Sequence, residues 1–341
     1  MNLHPANIII SRTDSIGDVV LTLPLAAVLK KHFPEATIAF IGKGYTRPVI
    51  EACKYVDAFI DKEAFLQEPV TVCGQAPDTL LHVLPDPAIA ARAKKLLIPW
   101  RVGTTNRLYH WTTCNKLVLL GRRRSSLHEA QLNLRLLKAF DIDTHFSLGT
   151  IGQLFGLEKI QALPHELAEL VSADKYNLIL HPKSQGSARE WGAANFIQLV
   201  RSLDKERYRI FISGTQKERQ QVQPIFDAVG DQVTDMMGRM DLDEFISFIA
   251  HCDGLVANST GPLHIAGALG KDALGIYPPM RPIHPGRWAP LGPRAQVFVL
   301  NKPCSDCKEN THPCHCITDI SPFLLKEALD KTVKPTMSIT E

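Results

Sequence analysis

Three stretches carry side chains whose types and spacing suit chemistry. The first is Val256-Ala257-Asn258-Ser259-Thr260-Gly261-Pro262-Leu263-His264, continuing through Ile265 to Gly270. It reads as a buried strand, Cys252 to Ala257, that breaks into a polar turn and then a small-residue helix, with Pro262 where a first helical turn tolerates a missing N–H. A strand that ends at a helix N-terminus leaves backbone N–H groups and a positive dipole end free, which suits a phosphate. Ser259 and Thr260 add hydroxyls, Gly261 lets a ligand approach the backbone, and His264 lies one turn into the helix on the same side. An ordinary strand-to-helix junction with an N-cap is spelled the same way, so the assignment needs support from elsewhere in the chain.

The second stretch is Arg12-Thr13-Asp14-Ser15-Ile16-Gly17-Asp18, which follows the apolar run Asn7 to Ser11. It contains neither G-x-G-x-x-G nor G-x-x-x-x-G-K-[ST], which excludes a dinucleotide fingerprint and a P-loop. Asp18 stands at the loop-to-helix junction. It is either a first-turn acid stabilised by the dipole or a general base at the carboxyl end of a strand, where open α/β sheets bind their ligands. The third stretch is Cys304-x-x-Cys307 and Cys314-x-Cys316, with His312 and His315 close by. Four thiols within thirteen positions have the composition of a tetrahedral structural zinc site, although the second pair is spaced more tightly than a usual knuckle. Reduced or redox-paired cysteines are the alternative.

The elements that must position these residues alternate. Strands are expected at Asn7 to Ser11, Thr37 to Gly42, Ala58 to Ile60, Thr79 to Leu84 and Pro99 to Gly103. Helices are expected at Val19 to His32, Pro48 to Cys53, Pro87 to Leu97 and Leu127 to Phe140, the last capped by Ser125 or Ser126. The rhythm lapses between Asp141 and Lys175 and then resumes with strands at Tyr176, Tyr208, Val233, Cys252, Ala273 and Gln296, and helices between them. Strands alternating with helices in both halves imply an α/β protein of two doubly wound parallel sheets facing a crevice, with domains at 1–165 and 166–341.

Composition agrees with this. At 341 residues the chain suits two domains, and 45% hydrophobic with 21% charged residues is globular rather than disordered. No apolar run reaches the ~18 residues of a membrane span, and the N-terminus lacks the pattern of a signal peptide, so a cytoplasmic location is expected. The net charge of +3 is unevenly spread. Between Asp86 and Phe140 eleven Lys or Arg face only Asp86 and Glu129, a local excess of nine, while the remainder is acidic by six. Such a patch fits an anionic partner.

Three motifs now stand in one order: Ser15-Ile16-Gly17-Asp18-Val19-Val20-Leu21-Thr22-Leu23-Pro24, then His181-Pro182 with Arg189-Glu190-Trp191, then Asn258-Ser259-Thr260-Gly261-Pro262-Leu263-His264. From Ile8 to about Leu329 the chain resembles the lipopolysaccharide heptosyltransferases, glycosyltransferase family 9. The resemblance implies a GT-B fold of two Rossmann-like domains, the first binding the acceptor and the second the nucleotide-sugar, and a metal-independent transfer that inverts the anomeric carbon. It implies Asp18 as the general base, Arg189 against the donor diphosphate, Lys183 and Ser184 in the donor loop, and Thr260, Gly261 and His264 at the donor phosphates. Many members carry Asp where this chain has Ser259, which leaves the sugar open. ADP-heptose is the leading donor, another nucleotide-sugar or a catalytically silent binding protein the alternative. A dinucleotide-dependent epimerase is disfavoured by the missing glycine fingerprint and the absent Tyr-x-x-x-Lys.

In the same light the basic patch suits an anionic glycolipid acceptor, with Arg47, Arg101, Arg107, Arg122, Arg123, Arg124, His128 and Arg135 as its candidates and with peripheral contact at the inner face of the inner membrane. No nucleic-acid partner and no catalytic cofactor are expected. The cysteine cluster is the candidate for structural zinc.

Overall fold

The computed structural model describes residues 4–123, 125–281, 283–301 and 314–332. These form two compact units: one runs to Gln161 and includes Leu291–Pro293, and the other begins at Ala162. The first unit is built on β1 (Asn7–Ser11), β2 (Thr37–Gly42), β3 (Ala58–Asp61), β4 (Thr79–His82), β5 (Trp100–Thr104) and β6 (Lys116–Val118). The second is built on β7 (Tyr176–His181), β8 (Tyr208–Ile212), β9 (Val233–Asp235), β10 (Gly254–Asn258), β11 (Asp272–Tyr277) and β12 (Ala295–Val299).

The sheet orders are β3-β2-β1-β4-β5-β6 and β12-β11-β10-β7-β8-β9, with parallel pairing throughout both. Counted from each unit's own first strand these are the same topology. Each sheet reverses its winding at one point, between β1 and β4 and between β7 and β10, and ligands of open α/β sheets gather outside the carboxyl ends of strands there. Two of the chemical stretches described above connect to those strands: Arg12 to Asp18 follows β1, and Ser259 to His264 follows β10. The central strands are apolar on both faces because helices cover both sides of a parallel sheet: Ile8, Ile9 and Ile10 of β1 and Leu178, Ile179 and Leu180 of β7 are fully buried.

Several elements depart from expectation. The helix expected over Val19 to His32 is two helices, Ile16–Val20 and Leu23–His32, since Pro24 has no N–H and occupies a first turn. The helix expected over Leu127 to Phe140 is α-helical only over Glu129–Leu134, tightens to a 3-10 turn over Arg135–Phe140 and stops at Asp141 in the left-handed region. Its cap is His128, not Ser125 or Ser126. The imidazole Nδ1 accepts the Ala130 N–H at 3.2 Å, and the Gln131 side chain accepts the His128 N–H at 3.0 Å. Ser125 instead closes a local turn onto the Leu127 N–H.

At the end of β4, His82 is fully buried and neither of its ring nitrogens has a partner among the described residues. Its ring lies 5.3 Å from that of His110. Burial, reinforced by His110 and Arg101 against a smaller opposing pull from Asp86, pushes the His82 pKa down from 6.5 to about 3; burial also lowers that of His110. Between those two values the unfolded chain binds a proton at His82 that the folded chain does not, so stability is full above pH 6.5 and falls as the pH drops below it, with a slope of up to about 1.4 kcal/mol per pH unit. Urea midpoints taken between pH 7.5 and pH 5 are expected to fall for the wild type and to fall less for His82→Gln.

Candidate functional site

In the first unit the site begins where β1 ends. The chain leaves Ser11 at the winding reversal, where the Ser11 carbonyl accepts the N–H groups of Val83 and Leu84 beyond β4. The next residue, Arg12, is 3% exposed. Its fork gathers three carboxylates: Nε donates to Asp14 at 2.7 Å, Nη1 to Glu129 at 3.0 Å, and Nη2 to Asp18. Nη1 also reaches the Asn133 amide oxygen at 3.3 Å, and Asn133 in turn donates to the Leu21 carbonyl and the Thr22 hydroxyl. A planar guanidinium suits this arrangement because its donors diverge in fixed directions. Burial alone would lower the Arg12 pKa, and Asp18, Asp14 and Glu129 together hold it above its ordinary value.

Asp18 is the third residue of the short helix Ile16–Val20. One carboxylate oxygen accepts from Arg12, the other from the Ser15 hydroxyl. Ser15-x-x-Asp18 is therefore a local clamp, with Arg12 closing it from the strand end. Burial raises the pKa of the neighbouring Asp14, with Asp18 adding to the rise and Arg12 opposing it. Tyr45 donates to the Asp14 carbonyl at 2.6 Å.

The basic residues of this unit divide by what occupies them. Arg122 is turned inward to Glu129, to Asn133 at 3.0 Å and to the Val83 carbonyl at 3.1 Å. Arg101 is committed to main-chain carbonyls, those of Thr113 at 2.7 Å and of Ile98, and so braces β5 rather than offering its charge outward. His128, expected to bind acceptor, is buried and spends Nδ1 on the helix cap. Arg47 pairs with Glu51 at 2.9 Å and lies over Phe59. Arg135 donates to Thr144 at 3.4 Å and lines a cavity of about 290 Å³ with Leu127, Gln131, Phe146 and Ser147. Arg107 and Arg123 are exposed. Arg124 lies outside the described residues.

In the second unit the site is assembled from the ends of β7 and β10. After β10 the chain caps the helix Gly261–Ala268 with Thr260, whose backbone is extended as an N-cap requires. The cap is incomplete: the Thr260 side chain makes no capping bond, and its hydroxyl is buried with no partner among the described residues. His264 is buried one turn along. Ser259 is half-buried, and the phenol of the fully buried Tyr277 donates to the Trp288 carbonyl at 2.6 Å.

The loop after β7 is held by Asn258, a residue whose role the sequence reading missed. Its amide oxygen accepts the Trp191 N–H at 2.9 Å and its amide nitrogen donates to the Pro182 carbonyl at 2.9 Å, which ties both ends of residues 182–191 to the end of β10. Inside that loop Lys183 forms an ion pair with Glu190, and Ser184 donates to the same carboxylate at 3.0 Å while its N–H donates at 3.1 Å. Two of the expected donor contacts thus converge on Glu190, and Arg189 beside them is half-buried. The turn needs Gly186 at φ 80°, and Gly192, which caps the next helix, lies at φ 94°.

The zinc expectation finds no support. Cys304, Cys307 and His312 lie outside the described residues. Cys316 is packed in the apolar core of the second unit with Trp191 and Leu325, and Cys314 caps the short helix His315–Thr318. Among the described residues no three His, Cys, Asp or Glu side chains are grouped to hold a metal ion.

Comparison with known proteins points one way. The sequence is 22% identical over 325 residues to the lipooligosaccharide heptosyltransferase 2 of Haemophilus influenzae, covering 86% of this chain and 88% of that protein. Over a shorter stretch of 119 residues it is 27% identical to the lipopolysaccharide heptosyltransferase 2 of Escherichia coli. In fold it is similar to a family 9 glycosyltransferase from Veillonella parvula, with a TM-score of 0.75 at 18% identity over 97% of this chain and 98% of that one. It is also similar to the E. coli ADP-heptose lipopolysaccharide heptosyltransferase II, with a TM-score of 0.70 at 20% identity over 96% and 98%. The family profile of glycosyltransferase family 9 (heptosyltransferase) matches residues 131–318, more than half of the chain, and the protein belongs to that family.

Proposed function

We propose that the chain transfers a heptose from ADP-heptose to a lipopolysaccharide core acceptor with inversion at the anomeric carbon, using Asp18 as the general base. The observation that carries this reading is the clamp on Asp18: a carboxylate fixed on one side by a buried guanidinium and on the other by a hydroxyl, at the carboxyl end of the strand where the sheet reverses. A base held in one orientation takes the proton of the acceptor hydroxyl as that oxygen attacks, and the bond to the nucleotide diphosphate breaks on the opposite face. The first unit receives the acceptor, with Arg47, Arg107 and Arg135 as its charged contacts. Arg101 and His128 act through the structure they brace.

The second unit holds the donor. The diphosphate lies at the N-terminus of the helix Gly261–Ala268, where the Thr260 hydroxyl and the free N–H groups of the first turn donate to it, Gly261 admits it to the backbone, and His264 and Arg189 complement its charge. Lys183 and Ser184 shape the donor loop through Glu190, and Ser259 borders the sugar. The reaction needs no metal in this scheme. A lipid-borne acceptor also places the working enzyme at the inner face of the inner membrane.

The test is a binding titration against ADP, GDP, UDP and their sugar conjugates. Selective binding of ADP and ADP-heptose is expected, and Thr260→Val is expected to weaken ADP about tenfold or more, the effect of losing one hydrogen bond to a charged group. Preference for GDP or UDP moves the enzyme to another sugar, as the serine at 259 permits; binding of none overturns the donor reading.

A further inference from the structure

Three large apolar side chains stand in solvent at one edge of the first unit. Leu108 is 88% exposed, Trp111 60% and Leu119 87%. They belong to one loop cluster. The Trp111 indole donates to the Thr105 carbonyl at 3.0 Å, the Thr105 N–H donates to the Val118 carbonyl at 3.1 Å, and Leu119 follows directly. Leu108 accepts the Trp111 N–H through its carbonyl in the turn that opens the helix His110–Thr113. The cluster hangs on β5 and on β6, the edge strand of the sheet. Apolar side chains this large and this exposed, carried on one hydrogen-bonded loop cluster, mark an interaction surface.

The charge around them selects the partner. From Thr104 to Arg123 the sequence contains no Asp or Glu, against Arg107, Lys116, Arg122 and Arg123. Arg107 and Arg123 are exposed and form no ion pair among the described residues. The Trp111 indole N–H is already satisfied within the loop, so the ring can leave water without stranding a donor. That combination, an aromatic ring with its polar edge internally bonded, two leucines and a basic collar, fits the headgroup boundary of an anionic bilayer.

We propose that Leu108, Trp111 and Leu119 insert into the surface of an anionic lipid bilayer while Arg107 and Arg123 contact its headgroups. The proposal deepens the reading of a lipid-borne acceptor, yet its test needs neither donor nor acceptor. The purified full chain is sedimented with phosphatidylcholine vesicles with and without about 30% phosphatidylglycerol. Binding to the anionic vesicles is expected, with loss on raising salt and with about tenfold weaker binding for Leu108→Ser/Leu119→Ser, a pair of exposed changes that leaves Trp111 and the loop bonds in place. Wild type left in the supernatant, equal binding to neutral vesicles, or a double variant that binds like wild type overturns it. So does a wild-type dimer that the double variant dissociates, since the patch would then join two copies of this chain. Transfer to a water-soluble core-sugar fragment is expected to be unchanged in the double variant. Vesicle binding without any transfer by the wild type therefore counts against the proposed reaction alone.

Discussion

Asp18→Asn is expected to lower kcat by about 10²–10⁴-fold while leaving the Kd for ADP-heptose unchanged, because general-base catalysis contributes on that scale and the groups proposed to bind the donor belong to the other unit. Asparagine keeps the size of the side chain, and its amide still accepts one hydrogen bond from Ser15 or Arg12, so the helix Ile16–Val20 is expected to persist. The informative control is Asp14→Asn. Asp14 shares Arg12 with Asp18, and burial together with the Asp18 charge raises its pKa against the pull of Arg12, which makes it a neighbouring carboxylate able to take up a proton. If Asp18 is the base, Asp14→Asn costs far less turnover than Asp18→Asn. The reverse order would move the base four residues back along the loop, and equal, small losses in both would remove a carboxylate base from the mechanism. Steady-state kinetics at fixed acceptor with calorimetric donor binding decides among these outcomes.

Where signals were local and periodic, the sequence was readable. Apolar runs such as Ile8-Ile9-Ile10 and Leu178-Ile179-Leu180 announce parallel strands because helices bury both of their faces, and the alternation around them gives two doubly wound sheets. The short edge strand Lys116–Val118 gave no such run: three residues, two of them half-buried, are too few to show a period. Long-range partnership was illegible. Arg12 after a strand reads as an ordinary loop cation; its burial follows from Glu129 and Asn133, 117 and 121 positions away. Glu129, in turn, reads as a helix-start acid, and nothing near it in the sequence announces its pairing with Arg12. Asn258 belonged to a recognisable motif, yet its work is done across the sheet on Pro182 and Trp191. Cys316 had the spelling of a ligand and the surroundings of a core residue.

Arg12→Met is expected to destabilise the first unit by about 3 kcal/mol or more, since removing one partner of a buried ion-pair network leaves uncompensated charge behind. The size of the loss depends on which carboxylate is stranded. Asp14 and Asp18 retain some contact with water, at 30% and 16% side-chain exposure, whereas Glu129 is 2% exposed. Glu129 therefore carries most of the cost. Arg12→Lys is not expected to rescue the fold, because one ammonium cannot reach three carboxylates in the directions that the guanidinium fork supplies. Arg12→Met/Glu129→Gln is expected to recover part of the loss by removing the stranded charge, a coupling that a double-mutant cycle on urea midpoints measures. Catalysis separates the two roles of Arg12. In the double variant the deeply buried carboxylate at 129 is gone but Asp18 has lost the group that fixes it, so stability is expected to return further than kcat does. Parallel recovery of both would mean that Arg12 serves the fold alone and that Ser15 suffices to aim the base.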